Sequence, residues 1–102
     1  MTVGTGSDAN PRDGDLITMI VEVRDDRVVV TGTDIRGCDA LRRAARALAK
    51  MAYGRSPEAV ARIAPRELID RVGLVPDEER CALTAIAALR AALVDAHVRE
   101  LA

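Results

Sequence analysis

The stretch that decides the fold is Leu16–Ile35, LITMIVEVRDDRVVVTGTDI. Its first half places apolar side chains at every second position, which is the period of a strand with one buried face. These positions are Ile17, Met19, Val21 and Val23. Asp25-Asp26 predicts a tight turn, and the β-branched residues after it predict a return strand with Gly32 as a candidate bulge. The stretch therefore predicts an antiparallel β-hairpin.

After Gly37 the apolar period changes from two to three and four, which predicts a helix that contains Cys38 in its first turn and ends near Gly54. Proline and glycine then predict three further helices: one from Ser56-Pro57 to about Ile63, one from Pro65 to Gly73, and one from Pro76-Asp77 towards the C-terminus. Strands followed by helices indicate an α+β domain, in which a small antiparallel sheet carries helices on one face.

The composition limits the core and the partners. The chain of 102 residues is 49% apolar, but Tyr53 is its only aromatic residue, so alanine, valine, leucine and isoleucine must build the core. Fifteen basic and sixteen acidic residues give a net charge of -1. This balance supplies no general field that would attract nucleic acid or an anionic membrane.

The ends and the hydropathy pattern suggest one domain. Residues 1–12 are rich in glycine and polar residues, so we expect a flexible N-terminal segment followed by a single domain over residues 13–102. No stretch approaches the ~20 apolar residues of a membrane span. The N-terminus has no apolar core of a signal peptide, which favours the cytoplasm and reduced thiols.

The candidate chemistry lies in two cysteines and an acidic loop. Cys38 and Cys81 each fall where a turn leads into a predicted helix, and Asp13-Gly14-Asp15 precedes the first predicted strand. Unpaired N–H groups at a helix N-terminus are expected to lower a thiol pKa. Sulfur together with carboxylate oxygen suggests zinc or iron. The alternatives are that the cysteines are inert core residues and that the aspartates only form a turn.

Several short motifs occur together along the chain: Val3-Gly4-Thr5-Gly6, Pro11, Asp13-Gly14-Asp15, Gly37-Cys38, Gly54 and Cys81. Together they resemble the iron–sulfur cluster assembly scaffolds of the IscU type and the N-terminal domain of NifU, over Val3 to about Val98. The family pattern has cysteine where Asp13 stands, and many members have histidine where Arg80 stands. The resemblance implies the IscU/SufE-like α+β fold and a scaffold rather than an enzyme.

The resemblance also implies roles for individual residues. Cys38 and Cys81 would be thiolate ligands of a [2Fe–2S] cluster, zinc or iron, Asp15 the retained aspartate and Asp13 a substituted ligand. Cys81 would accept sulfur from a cysteine desulfurase, and acceptor apo-proteins would be further partners. Because carboxylate is a harder ligand than thiolate, we expect zinc or loosely bound iron sooner than a stable cluster. The chaperone-docking segment is altered here to Leu74–Glu78, which weakens the expectation of chaperone docking.

Other interpretations remain open from the sequence. The chain could be a degenerate scaffold homologue that acts as a metal-free interaction or regulatory module, or a sulfur shuttle of the SufE type. Arg42, Arg46 and Lys50 share one helix face, which is usually only solvated but could dock an acidic partner such as a desulfurase surface. His97 is too far from Cys81 along the last helix to share its site.

Overall fold

The computed structural model describes residues 1–102. Three strands precede four helices: β1 Thr2–Asn10, β2 Asp15–Arg24, β3 Arg27–Arg36, α1 Asp39–Ala52, α2 Pro57–Ala61, α3 Pro65–Val72 and α4 Glu79–Leu101. A single 3-10 turn, Pro76–Glu78, leads into α4. The predicted α+β class is confirmed, and the predicted helix boundaries at Pro65 and Gly73 agree with the structure.

The sheet is antiparallel in the order β1-β2-β3. Asp25 and Asp26 form the predicted hairpin turn and both have positive φ, at 52° and 60°. The predicted bulge also forms, because Ile20 pairs with Gly32 while Val21 pairs with Val30. The extra, unpaired residue is therefore Thr31, the neighbour of Gly32.

The expectation of a flexible segment over residues 1–12 is wrong. Residues Thr2–Asn10 form β1, which pairs with β2 along its whole length. The glycines that suggested flexibility are instead points of close contact with α4. A Cβ atom on Gly4 or Gly6 would overlap with main-chain atoms of Ala92. Only glycine lets α4 approach β1 this closely, so the glycines of β1 mark tight packing between the two elements.

The helices cover one face of the sheet, and the core lies between the two layers. The predicted inward residues of β2 are fully buried at Ile17, Met19 and Val21. Small side chains on α4 let it approach the sheet closely; its buried alanines are Ala82, Ala85, Ala88, Ala92 and Ala96. Because α4 lies close to the sheet, the core is filled without large aromatic side chains.

The length and hydropathy of helix α4 contradict one expectation about membrane spans. By length and composition alone, Pro76–Leu101 is long and apolar enough to cross a membrane, contrary to the expectation that no segment approaches a span. Half of its most apolar stretch is buried inside the domain, where it packs against β1 and β2. A core helix of a globular protein has this same composition.

Candidate metal centre

Three of the four predicted ligand residues meet at one end of the sheet. Asp15 is the first residue of β2, Cys38 immediately precedes α1, and Cys81 lies in the first turn of α4. The ligand atoms of these residues all lie within 4.8 Å of one another. Cys38 occupies the N-cap position rather than the first turn that the sequence predicted. The fold thus brings together side chains that are distant in sequence.

The distances in this group are compatible with one metal ion. The two Sγ atoms are 3.4 Å apart, and Asp15 Oδ2 lies 3.8 Å from Cys38 Sγ and 3.9 Å from Cys81 Sγ. A tetrahedral zinc ion with bonds of ~2.3 Å to sulfur and ~2.0 Å to oxygen places sulfurs about 3.8 Å apart and sulfur and oxygen about 3.5 Å apart. The observed distances differ from these values by about 0.3–0.4 Å, which small side-chain rotations can supply.

Asp15 is held in place by the segment that leads into α1. Its carboxylate is buried, with 2% of the residue exposed, and Oδ1 accepts a hydrogen bond of 3.1 Å from the N–H of Cys38. Gly37 has a φ of 143°, and a Cβ atom there would overlap with Asp15 Oδ1. The Gly37-Cys38 motif therefore makes room for the carboxylate and supplies its hydrogen-bond donor.

Asp13 is not part of this close group. It lines the same cavity, but its Oδ2 accepts a hydrogen bond of 2.8 Å from the side-chain amide of Asn10. A ligand role for Asp13 would require this carboxylate to turn towards the thiols. The structure thus brings together Asp15, Cys38 and Cys81, with Asp13 at the border.

The cavity contains four charged residues besides the predicted Asp13 and Asp15. Its volume is about 390 Å³, and its lining is Asp13, Asp15, Cys38, Asp39, Ala40, Arg43, Asp77, Glu78 and Cys81. Arg43 forms ion pairs of 3.0 Å with Asp39 and with Glu78. The i,i+4 spacing of Asp39 and Arg43 could have predicted the first pair. The second joins α1 to the 3-10 turn and depends on the tertiary fold.

The expected fall in thiol pKa is wrong for Cys81. Burial, together with the nearby Cys38, Asp15 and Glu78, raises the pKa of Cys81 to about 12, and burial is the largest of these causes. Cys81 is 4% exposed, whereas Cys38 is an exposed residue. Position in the first helical turn does not compensate for removal from water and for neighbouring negative charge. The two thiols are therefore inequivalent in the metal-free protein.

This inequivalence predicts the order of thiol labelling. In metal-free protein at neutral pH, we expect iodoacetamide to modify Cys38 well before Cys81, because alkylation requires an accessible thiolate. The raised pKa means that the folded state binds the Cys81 proton more tightly than the unfolded state. The resulting contribution to the free energy of unfolding is complete below about pH 9, the ordinary thiol pKa, and is lost as the pH rises to about 12. Mass spectrometry of labelled peptides and urea unfolding across this range measure both effects; equal labelling rates at neutral pH would contradict the assignment.

Two other singled-out residues lie outside the close group. Arg80 is exposed and lines a neighbouring cavity that also contains Arg12, Asp13, Pro76 and Asp77. His97 is exposed on α4, away from the thiols, in agreement with its interpretation as a surface residue.

Comparison with known proteins adds to the geometry. No family model matches the chain. Two curated proteins of Archaeoglobus fulgidus, the iron–sulfur cluster assembly scaffold proteins IscU 1 and IscU 2, are each 31% identical to it over 93 residues. Each match covers 90% of this chain and 61% of the relative. In sequence and in fold, the chain is IscU-like. The resemblance drawn from its motifs is thereby confirmed, and both relatives are named as scaffold proteins.

Solved structures agree on the fold. A candidate iron–sulfur cluster assembly scaffold for the SUF system from Fervidobacterium islandicum AW-1 matches with a TM-score of 0.71 at 16% identity, over 88% of this chain and 79% of that one. A hypothetical protein matches with a TM-score of 0.70 at 22% identity, over 90% of this chain and 82% of that one. The IscU-like chain described here spans 61% of the length of its curated relatives, so their whole activity does not transfer directly.

Proposed function

We propose that this IscU-like domain is a scaffold for iron–sulfur cluster assembly that binds zinc, iron or a labile cluster through Asp15, Cys38 and Cys81. The observation that carries the proposal is the convergence of two thiols and one buried carboxylate within 4.8 Å. The similarity to two proteins named as iron–sulfur cluster assembly scaffolds supports it. The proposal also requires reduced thiols, which a cytoplasmic location would provide.

The ligand set favours a single ion over a stable cluster. Two thiolates and one carboxylate leave one position of a tetrahedral ion open, as in zinc sites that exchange ligands. Iron–sulfur clusters are held mainly by thiolates, and here the close group offers only Cys38 and Cys81. Asp13 is the candidate for the remaining position if it gives up its hydrogen bond to Asn10. A weakly held metal or cluster suits a protein that must transfer it to acceptor apo-proteins.

The second part of the proposal is sulfur acceptance from a cysteine desulfurase. A thiolate of this chain attacks the outer sulfur of the desulfurase persulfide, so a persulfide forms here and the desulfurase leaves as a thiolate. We assign the acceptor role to Cys81, with a condition that its burial imposes. Metal coordination deprotonates a thiol, whereas without metal Cys81 stays protonated at neutral pH. We therefore expect persulfide on exposed Cys38 in metal-free protein and on Cys81 after zinc binding.

Reconstitution tests both parts. Purified protein is loaded anaerobically with zinc or with iron and sulfide, and metal content and visible absorbance are measured. It is then incubated with a desulfurase and cysteine, and persulfides are located by mass spectrometry in wild type, Cys38→Ser and Cys81→Ser. We expect one metal ion per chain and a zinc-dependent shift of persulfide from Cys38 to Cys81. Absence of both metal and persulfide in wild type would refute the scaffold proposal.

A second candidate function is a metal-free interaction or regulatory module. This alternative is favoured because every buried side-chain nitrogen and oxygen atom already has a hydrogen-bond partner without an ion. Under this alternative, the Cys38→Ser/Cys81→Ser double variant keeps its stability, and a chelator does not change the melting of wild-type protein purified without added metal. A marked chelator-induced drop in stability would instead support the metal scaffold.

A further inference from the structure

The outer edge of β3 is largely unpaired. β3 is an edge strand of the sheet, and its Val28 already pairs outward: its N–H donates to Arg55 (2.8 Å) and its carbonyl accepts from the N–H of Gly54 (2.9 Å). None of the other backbone hydrogen bonds outside the regular elements involves residues 29–36. Antiparallel pairing with β2 turns every second N–H and C=O away from the sheet. Residues 29–36 therefore present free donors and acceptors.

The opposite edge of the sheet is protected differently. In β1 the N–H of Thr5 donates a hydrogen bond of 2.8 Å to the Asp95 carboxylate of α4. This bond and the neighbouring Arg99 hold the pKa of Asp95 below its usual value, so the carboxylate stays charged. Unpaired strand edges are pairing sites for other chains unless something covers them. Helix α4 therefore supplies a hydrogen-bond partner to the backbone of β1, whereas the edge of β3 beyond Val28 has no such partner.

A basic groove runs beside the free edge. It lies between β3 and α1 and has a volume of about 490 Å³; its lining is Val30, Thr31, Gly32, Thr33, Ile35, Arg42, Ala45, Arg46, Ala49 and Lys50. Three cations line it, no acidic residue does, and none of these cations takes part in an ion pair within the chain. Asp34 of β3 alternates to the other face of the sheet.

The positive surface continues past the groove. Arg46 and Lys50 also line a second cavity of about 280 Å³, which contains Arg43 and Arg71 as well. Arg43 is paired with Asp39 and Glu78, but Arg46, Lys50 and Arg71 take part in no ion pair, so their positive field attracts acidic segments. The same field would attract RNA, but no aromatic side chain lines either cavity for base stacking.

We propose that this groove docks an extended acidic segment of a partner protein, which pairs with β3 as an added strand. Arg42, Arg46 and Lys50 follow one another at four-residue steps on α1, about 6 Å apart along the helix. Side chains on one face of an extended strand repeat about every 6.7 Å. Acidic residues at alternate positions of the docked segment therefore meet successive cations while its backbone bonds to β3. Strand addition with side-chain pockets is a general mode of peptide recognition.

The proposal does not depend on the metal site. The groove and the cavity that contains Cys38 and Cys81 share no lining residue. A Cys38→Ser/Cys81→Ser variant is therefore expected to dock the same segment with unchanged affinity. Failure of metal binding and failure of docking are separate results.

The test uses a fluorescent decapeptide of alternating glutamate and valine, with binding followed by anisotropy at low and physiological salt. We expect saturable binding that the Arg46→Glu/Lys50→Glu variant weakens by at least about tenfold, because two attractive contacts become repulsive. Arg12→Glu, a charge reversal outside the groove, is expected to change affinity by less than about twofold. Circular dichroism verifies that each variant is folded.

Two peptide controls and one nucleic-acid competitor decide the mode of binding. Replacing glutamate by lysine is expected to abolish binding, and N-methylation of alternate peptide bonds is expected to weaken it by at least about tenfold, because backbone donors are lost. The proposal is overturned if the N-methylated peptide binds as tightly as the parent, or if Arg12→Glu weakens binding as much as the groove variant. It is also overturned if oligouridylate displaces the peptide at equal charge concentration, since the surface is then a general polyanion site.

Discussion

Gly6→Ala is expected to destabilise the domain by about 3 kcal/mol or more, at the upper end of the cost of overpacking. A Cβ atom at Gly6 would overlap with main-chain atoms of Ala88 and Ala92 on α4. Main chain cannot rotate aside as a side chain can, so α4 must move away from β1. Because a domain of this size has a total stability of about 5–15 kcal/mol, this variant loses a large share of it. Urea unfolding followed by circular dichroism measures the loss.

Gly32→Ala is the matched control in the same sheet. Its new Cβ atom would lie 3.4 Å from Ile20 Cδ1, the flexible end of a side chain, with no main-chain atom as close. We expect a change in the free energy of unfolding within about 1 kcal/mol of zero, since alanine is favoured over glycine in a strand interior. Similar losses in the two variants would contradict the assignment of β1 glycines to close packing.

Cys81→Ser is expected to lower zinc affinity by at least about 100-fold, because loss of a direct ligand should exceed the 10–100-fold effect of removing the partner of a ligand. Serine keeps the size of the side chain but offers zinc a poor, protonated oxygen. Competition with a chromophoric chelator at fixed pH measures the affinity. Asp15→Asn tests the carboxylate in the same assay, and it also removes the charged acceptor of the Cys38 N–H.

Asp77→Asn is the control for this series, because Asp77 lines the cavity but lies outside the close ligand group. It is expected to change zinc affinity by less than about threefold, through long-range charge alone. Asp13→Asn then decides whether Asp13 supplies a ligand: a large loss assigns it the fourth position, and a small loss restricts the site to three residues. If Cys81→Ser bound zinc like wild type, the proposed centre would be wrong.

Local periodicity was sufficient for most of the fold. The alternation in β2, the prolines at Pro57 and Pro65 and the glycine at Gly73 correctly located strands and helix ends, because each acts within a few residues. Local periodicity failed for β1, because the glycines there were interpreted as a sign of flexibility. The true role of these glycines is close packing against Ala92, which lies far along the chain, so no local pattern could predict it.

The convergence of Asp15, Cys38 and Cys81 was predictable from the sequence, but the separation of Asp13 from them and the electrostatics were not. Spacing of the Gly37-Cys38, Cys81 and Asp15 motifs, through the resemblance, selected the residues that the fold brings together. Helix position alone gave the wrong direction for the Cys81 pKa, because burial cannot be deduced from a helix start. The contact between Arg43 and Glu78 was likewise absent from any local pattern.

The pairing of β1 with α4 has a consequence for synthesis on the ribosome. These two elements lie at opposite ends of the described chain and share its most extensive contact. A nascent chain can form the hairpin of β2 and β3 early, yet β1 cannot find its helical partner until α4 has left the exit tunnel. Such dependence on distant contacts slows folding, so the growing polypeptide must keep an apolar sheet face open until translation of α4 is complete.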